Sequence, residues 1–335
     1  MSDSQQPSVL DTPLDLARFG AGRHRIARTV ARTADGADIR MPINILRGRA
    51  AGPRLVAIAG IHGDEHEGPA VLLEVGETLD PGDLSGTLVV VPVVNPPAFR
   101  TSTRANPMDG VNLNRIFPGE PDGSISHRLA RILVEEIIPG ADFVLTIHGW
   151  TAGWLTVPYV EYTAGHATSD AARAGAAAFG PRYLEPLGLL PGRLMSHVAT
   201  LGIPGCEVEI GGEGITLPER SEIGRLGVVG LMRHLGMLDG EPAARDNQRD
   251  VVRREIRAAA GGAFRRSVTA IVGREVRAGE QLGIVSGLNG EPLTDVIAPA
   301  DGVLACLRHA LSVEPGDLLA VVFSDADARA SARVG

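Results

Sequence analysis

The sequence predicts an α/β fold, a doubly wound mixed sheet with helices on both faces, followed by a small C-terminal all-β domain. Three observations carry this. Apolar runs of strand length, at 55–59, 86–94 and 142–147, alternate with segments of helical periodicity, as in a sheet whose central strands are buried on both faces. Each run stops at a cluster of polar residues, and in open α/β sheets ligands bind beyond the carboxyl ends of the strands. After residue 251 the pattern changes to short strands parted by Gly-containing turns, which suggests a β-barrel or sandwich.

Taken in order, residues 1–20 read as a flexible lead-in and 21–50 as an antiparallel hairpin at the sheet edge, with His24, Ile26, Arg28 and Val30 alternating, then Ile39, Met41, Ile43 and Ile45. The stretch 54–68, RLVAIAGIHGDEHEG, is a buried strand that breaks at Gly60 into a loop holding His62, Asp64, Glu65, His66 and Glu67. A helix over 68–79 follows, with Pro69 in its first turn, where a missing N–H costs little. The strand at 86–94 leads into a polar segment, 95–123, too rich in Asn, Pro and Gly to be helix; a loop of that length inside a compact unit is usually functional. An amphipathic helix at 126–138 precedes the strand 142–147, which ends on His148. The middle carries a strand-like LTVPYVEY, a helix near 168–179 and another at 193–201, then the strand GCEVEI at 205–210, closed by Gly211-Gly212, and a last helix over 216–236. A linker near 239–250 divides this 21–240 unit from the β-rich 251–330, where GREVRAGEQLG is echoed by HALSVEPGDLLA.

Composition narrows the functional classes. With 335 residues, 44% of them hydrophobic, the chain is large enough for one big or two smaller cores, and its net charge of -8 argues against a nucleic-acid or anionic-membrane partner. All 32 basic residues are arginine, which excludes a Schiff-base lysine, a Walker P-loop and a lysine-tethered prosthetic group; the β-rich part, although similar to biotinyl or lipoyl carriers, is therefore expected to be a cap or an assembly surface, the assembly being a homo-oligomer, rather than a swinging arm. Cys206 and Cys306 have no pairing pattern and read as buried thiols. The N-terminus lacks the charged and apolar regions of a signal peptide and no run of eighteen apolar residues occurs, so a soluble cytoplasmic protein is expected.

The chemistry is assembled from separate strand ends. His62 and Glu65, three apart in one loop, could present an imidazole and a carboxylate to one ion, and His148 could add a third ligand. Two His and one carboxylate with a fourth position open is the composition of catalytic zinc sites. The loop RTSTRANPMDGVNLNRIFPG brings Arg100, Arg104, Asp109, Asn112, Asn114 and Arg115, with Leu113, Ile116 and Phe117 to pin it to the core. Guanidinium groups hold carboxylates bidentately, so a zinc beside such a clamp describes a site for acylated amino acids or peptides.

Four motifs in order, GIHGDE at 60–65, DGVNLNRIFPG at 109–119, the strand ending in His148-Gly149, and EVEIGG at 207–212, resemble the succinylglutamate desuccinylase/aspartoacylase family of zinc carboxypeptidase-like hydrolases. The resemblance covers most of 54–240. It implies one Zn2+ per chain held by His62, Glu65 and His148, substrate contacts from Arg104, Asn114 and Arg115, and Glu209 as the base that activates a zinc-bound water. The activity implied is removal of the acyl group from a small N-acylated amino acid or related amine, and the residues around 149–160 and 207–214 lean toward the branch that deacetylates N-acetyl-diaminobutyrate-like compounds. The remaining histidines, and His66 and Glu67, read as structural. Glu207 is the rival to Glu209, since i and i+2 on a strand share a face; lying deeper, it is expected to pair with an arginine or a backbone donor. One departure stands out: Thr146 sits two residues before His148 where the family commonly has Asp, a carboxylate able to support the ligand from behind. Trp150 is expected to narrow the pocket. The alternatives are a metallocarboxypeptidase acting on peptides and a catalytically silent zinc-fold binding module.

Overall fold

The structure, a computed structural model, describes residues 6–242 and 247–326. The chain begins with β1 (Ser8–Leu10) and the long hairpin of β2 (Gly22–Arg32) and β3 (Asp38–Arg47). There follow β4 (Ala50–Ala59), α1 (Glu67–Thr78), β5 (Ser85–Val91), α2 (Pro96–Thr101), α3 (Ile125–Ile132), β6 (Phe143–His148), β7 (Trp154–Thr156) and β8 (Tyr159–Thr163). Then come α4 (Ser169–Phe179), β9 (Tyr183–Leu187), α5 (Leu194–Thr200), β10 (Gly205–Glu209) and α6 (Pro218–His234). The C-terminal part contributes β11 (Arg249–Arg257), β12 (Gly262–Arg266), β13 (Glu275–Val276), β14 (Gln281–Ser286), β15 (Pro292–Ile297), β16 (Gly302–Arg308), β17 (Ser312–Val313) and β18 (Leu318–Asp325).

The apolar strands sit at the middle of the sheet. β4 pairs in parallel with β5 on one side and β6 on the other, and β6 pairs in parallel with β10. The hairpin β2–β3 joins antiparallel through β3 to β5, and β8 joins antiparallel to β10, which makes the sheet mixed. Alternate side chains of the same strands feed two cores. Leu55, Ala57, Phe143, Leu145, Cys206 and Val208 pack under α1, α4 and α6, while Val56, Ile58, Val144 and Val89 pack under α3 and α5. That division is the doubly wound arrangement with helices on both faces. It also explains why β4 and β6 show no polar alternation. α1 starts hard against β6: a Cβ on Gly68 would come 2.3 Å from the Ile147 carbonyl oxygen, so glycine is needed there.

Four details differ from the sequence reading. In the lead-in, residues 8–10 pair in parallel with β2 and Leu14 and Leu16 are buried in the core, because the hairpin leaves an apolar face that needs cover; residues 1–5 lie outside the described residues. The 95–123 segment contains the short helix α2, for which Asn95 accepts a hydrogen bond from Ala98 N and Pro96 and Pro97 supply a first turn. The helix expected over 126–138 is α3 continued by a π turn over 133–137. Finally, the β-rich C-terminal part has the small sheet and core expected of it, but some of its strands also extend the main sheet. β11 pairs with β9 and with β18, and β7 pairs with β16, so the sheet runs on as β9-β11-β18-β16-β13 while β15-β14-β12-β17 form a second sheet. Residues 243–246 of the expected linker lie outside the described residues. The sequence echo corresponds to a repeated device: a two-residue strand, a turn on a glycine of positive φ (Gly279, +82°; Gly316, +88°), and a longer strand. Among the described residues no helix is long and apolar enough to cross a membrane.

Candidate active site

The site forms where three strands end together. Ala59 of β4 is level with Ile147 of β6, and Glu209 of β10 is level with His148. Beyond β4, Gly60 takes a φ of +64° and turns the chain so that 60–66 crosses the mouth of the sheet. His62 and Glu65 come from this loop and His148 is the last residue of β6; all three are buried.

Their polar atoms converge. His62 Nδ1 lies 2.8 Å from Glu65 Oε1 and His148 Nδ1 lies 2.7 Å from Glu65 Oε2, and one donor atom from each of the three falls within 4.8 Å of the others. Two imidazole nitrogens and a carboxylate directed at one point fit an ion that accepts N and O ligands, and the three line a cavity of about 480 Å³ that leaves further positions open. Electrostatics agree. Burial alone would push the Glu65 carboxyl up, but His62 and His148 beside it hold it well below the usual carboxylate range. Burial alone would lower His148, but Glu207 and Glu65 outweigh it and raise the imidazole to about 9. A pocket that concentrates negative charge on a buried imidazole in this way favours a cation, and a metal would displace the proton from Nδ1.

The surrounding residues orient these groups. Asn112 Oδ1 accepts the Asn114 N–H at 2.9 Å and lies 3.1 Å from His62 Nε2, so it can accept an N–H from that nitrogen while Nδ1 is directed at the cluster and would be the atom offered to a metal. Arg104 donates to Glu65 Oε1 at 2.8 Å and reaches both the cluster and the cavity. Asn114 is buried and committed to the protein: its Oδ1 accepts the Leu194 N–H at 2.9 Å at the start of α5, and its Nδ2 points to Glu207 Oε2 at 3.5 Å. Arg115 is exposed at the rim of the cavity and, among the described residues, donates only to its neighbour's carbonyl, Asn114 O, at 2.7 Å; partial burial and then the like charges of Arg193 and Arg104 lower its pKa. Its guanidinium is therefore the group with most to gain from an arriving carboxylate.

Glu209 lines the same cavity and is half-buried, and its Oε2 is inaccessible and without a hydrogen-bond partner among the described residues. Burial, reinforced by Glu65, pushes its carboxyl well above the usual range. Glu207 differs. Burial opposes its ionisation, but Arg193, and after it His148, bring its pKa down to about 2.

Not every expected residue belongs here. Arg100 sits at the exposed end of α2 and does not line the cavity. Asp109 caps α3, accepting from Ser124 Oγ at 2.7 Å and from Ser126 N at 2.9 Å. His66 Nε2 lies 3.1 Å from Gly63 O and 3.4 Å from Ser102 Oγ, with its ring edge-on to Phe99, and does not line the cavity. Glu67 is fully buried behind the site against Arg220 at 3.3 Å. The sequence reading passed over a network on the far wall. Arg193 bridges Glu207 and Glu161, and Arg253 of β11 bridges Glu161 (3.1 Å) and Glu185 (2.7 Å) and donates to Tyr159 Oη at 3.0 Å. The available signal was a glutamate in the middle of each of two apolar strands, 159–163 and 183–187, which requires a buried cation.

Comparison with known proteins agrees with this geometry. The profile of the succinylglutamate desuccinylase/aspartoacylase catalytic domain matches residues 51–235. The chain belongs to this family. It is 30% identical over 332 residues to the N-alpha-acetyl-L-2,4-diaminobutyric acid deacetylase of Halomonas elongata, a match that covers 95% of this chain and 96% of that protein. The crystal structure of a succinylglutamate desuccinylase/aspartoacylase from Rhodobacter sphaeroides superposes with a TM-score of 0.84 at 29% identity, covering 93% of this chain and 97% of that one. A product-bound structure of the ectoine utilization protein EutE (DoeB) from Ruegeria pomeroyi gives the same TM-score at 27% identity, with 93% of this chain and 97% of that chain covered. This chain is thus a member of a hydrolytic deacylase family with a buried His-Glu-His group able to hold a metal ion.

Proposed function

We propose that the protein is a zinc-dependent deacylase that hydrolyses the amide of a small N-acylated amino acid, with N-acetyl-diaminobutyrate-like compounds as the first substrates to consider. The observation that carries this is the buried cluster of His62, Glu65 and His148 in the same cavity as the unpartnered carboxylate of Glu209. The similarity to the Halomonas elongata deacetylase supports the choice of substrate class.

Zinc bound by the three ligands would supply Lewis-acid polarisation of the scissile carbonyl and lower the pKa of water to about 7. The protein's own groups do the rest. Glu209 takes a proton from the attacking water as its oxygen joins the acyl carbon, and returns that proton to the amide nitrogen as the C–N bond breaks. With no hydrogen-bond partner on Oε2 among the described residues, its carboxylate is free for both halves of that task. Arg115, helped by Arg104, holds the substrate carboxylate at the rim and so aligns the amide with the cluster. Asn114 acts from below by fixing the start of α5 and the orientation of Glu207. Trp150, whose Nε1 donates to Tyr159 Oη at 3.1 Å, forms with Trp154 the apolar wall that limits the bound group. In this reading residues 21–240 are the hydrolase body, and the strands of 251–330 complete its wall through Arg253.

The test is a panel of N-acyl amino acids and of peptides with free C-termini, assayed alongside zinc content. Release of acid from the N-acyl amino acids, with about one zinc per chain, supports the proposal. Activity confined to C-terminal peptide bonds would replace it with a carboxypeptidase, and zinc binding without turnover would make the chain a binding module.

A further inference from the structure

We propose that Glu207, on the neighbouring strand β10, orients the metal ligand His148, supplying from across the ladder the carboxylate that Thr146, two residues before the ligand, does not offer. The proposal rests on the reading of His148 as a ligand.

His148 directs Nδ1 at Glu65, so Nε2 is its outer nitrogen and, in a metal-bound imidazole, its N–H. That nitrogen is buried and has no hydrogen-bond partner among the described residues. A ligating histidine ordinarily donates this proton to a carboxylate, a carbonyl or a water, which fixes the ring and strengthens its basicity. Thr146 cannot supply a carboxylate; it is fully buried and its own hydroxyl is unpartnered. Directly across the ladder from Thr146, however, stands Glu207, whose Oε2 lies 3.8 Å from His148 Nε2.

Glu207 is prepared for this task. Arg193 takes its Oε1, while Oε2 has only the long 3.5 Å contact from Asn114, so acceptor capacity remains on the side facing His148. Arg193 is itself held by Glu161 at 2.6 Å, and Asn114 by the start of α5. The carboxylate is thus anchored at one oxygen and available at the other. Closing 3.8 Å to a hydrogen bond takes a shift of under about 1 Å. In position, charge and burial, Glu207 does from β10 what an aspartate at 146 would do from β6. It is a positioning residue and touches no substrate.

Zinc affinity, measured by competition with a chromophoric chelator, tests this with circular dichroism and thermal unfolding run on each variant. Glu207→Ala is expected to weaken zinc binding by about 10–100-fold, and the double variant Glu207→Ala, Thr146→Asp, which restores a carboxylate behind the ligand, to recover most of the loss. If Glu207→Ala does not fold, Glu207→Gln decides: it keeps an acceptor but loses the charge, and about 5–10-fold weaker binding is expected. Parental affinity in whichever of these variants folds, whether or not the melting temperature falls, would overturn the proposal and leave Glu207 a structural partner of Arg193. His148→Ala separates the two levels: if it retains zinc as the parent does, the metal-centre reading itself fails, whatever Glu207 does.

Discussion

Glu209→Gln is the most informative single substitution. The change preserves size and polarity and removes only the ability to accept a proton. Because Glu209 Oε2 has no protein partner among the described residues, no hydrogen bond is broken there, and folding should be little affected. What is lost is general base catalysis, typically about 10²–10⁴-fold in rate, which at 1.36 kcal/mol per tenfold is roughly 3–5 kcal/mol of transition-state stabilisation. The assay is turnover at saturating substrate together with zinc content. The expected result is a fall in kcat of that size with zinc retained and an unchanged melting curve. A Glu209→Gln enzyme within a few-fold of the parent would refute the assignment of the base. So would a variant that lost activity only because it lost its metal.

Other expectations follow from single contacts. Arg115→Ala should raise KM for the best N-acyl substrate by roughly 30-fold, about 2 kcal/mol for an arginine–carboxylate contact formed on binding, with zinc content unchanged; steady-state kinetics check it. Arg253→Ala would leave the buried Glu161 and Glu185 short of a counter-charge and should cost about 3 kcal/mol of stability, read by chemical denaturation. Asp109→Ala should remove the cap of α3 and cost about 1 kcal/mol. Burial works against the Asp109 charge, but Ser124, Ser126 and Val111 outweigh it and lower its pKa, so its contribution is present above its unfolded-state pKa and is lost as the pH falls through the lower folded value; acid denaturation of the parent and the variant should therefore converge. Cys206 and Cys306 are fully buried, with Cys306 raised to about 12 by burial, so neither should react with a thiol reagent until the chain unfolds.

The central strands and the three candidate ligands were legible because both depend on local signals: an apolar run of strand length, then a glycine, then polar groups at its carboxyl end. β4 with His62 and Glu65, and β6 with His148, follow that rule, and the register of parallel neighbours brings their ends level. Helices with apolar spacing, such as α1 and α6, were legible for the same reason. The charge network was not. Glu161, Glu185, Arg193 and Arg253 lie far apart in sequence and meet only through strand pairing, including that of β11, which sequence patterning had assigned to a separate domain. Asp109 illustrates the opposite limit. In the sequence it is one more polar residue in a functional-looking loop, and only the position of α3 reveals a helix cap. The lead-in was misread because Leu14 and Leu16 are too few to form a periodic signal, although the hairpin offers them a buried seat.

Metal-dependent acyl release is the property that the buried His-Glu-His cluster and Glu209 together require. The measurement is the acid liberated by hydrolysis, acetate from N-alpha-acetyl-2,4-diaminobutyrate and the corresponding acid from each of a set of other N-acyl amino acids, by the parent protein as purified, after chelator treatment, and after zinc is restored. Turnover of at least one of these compounds that disappears on chelation and returns with zinc in the parent but not in His148→Ala is the predicted result. Turnover that survives complete metal removal, or that His148→Ala supports as well as the parent, would contradict it.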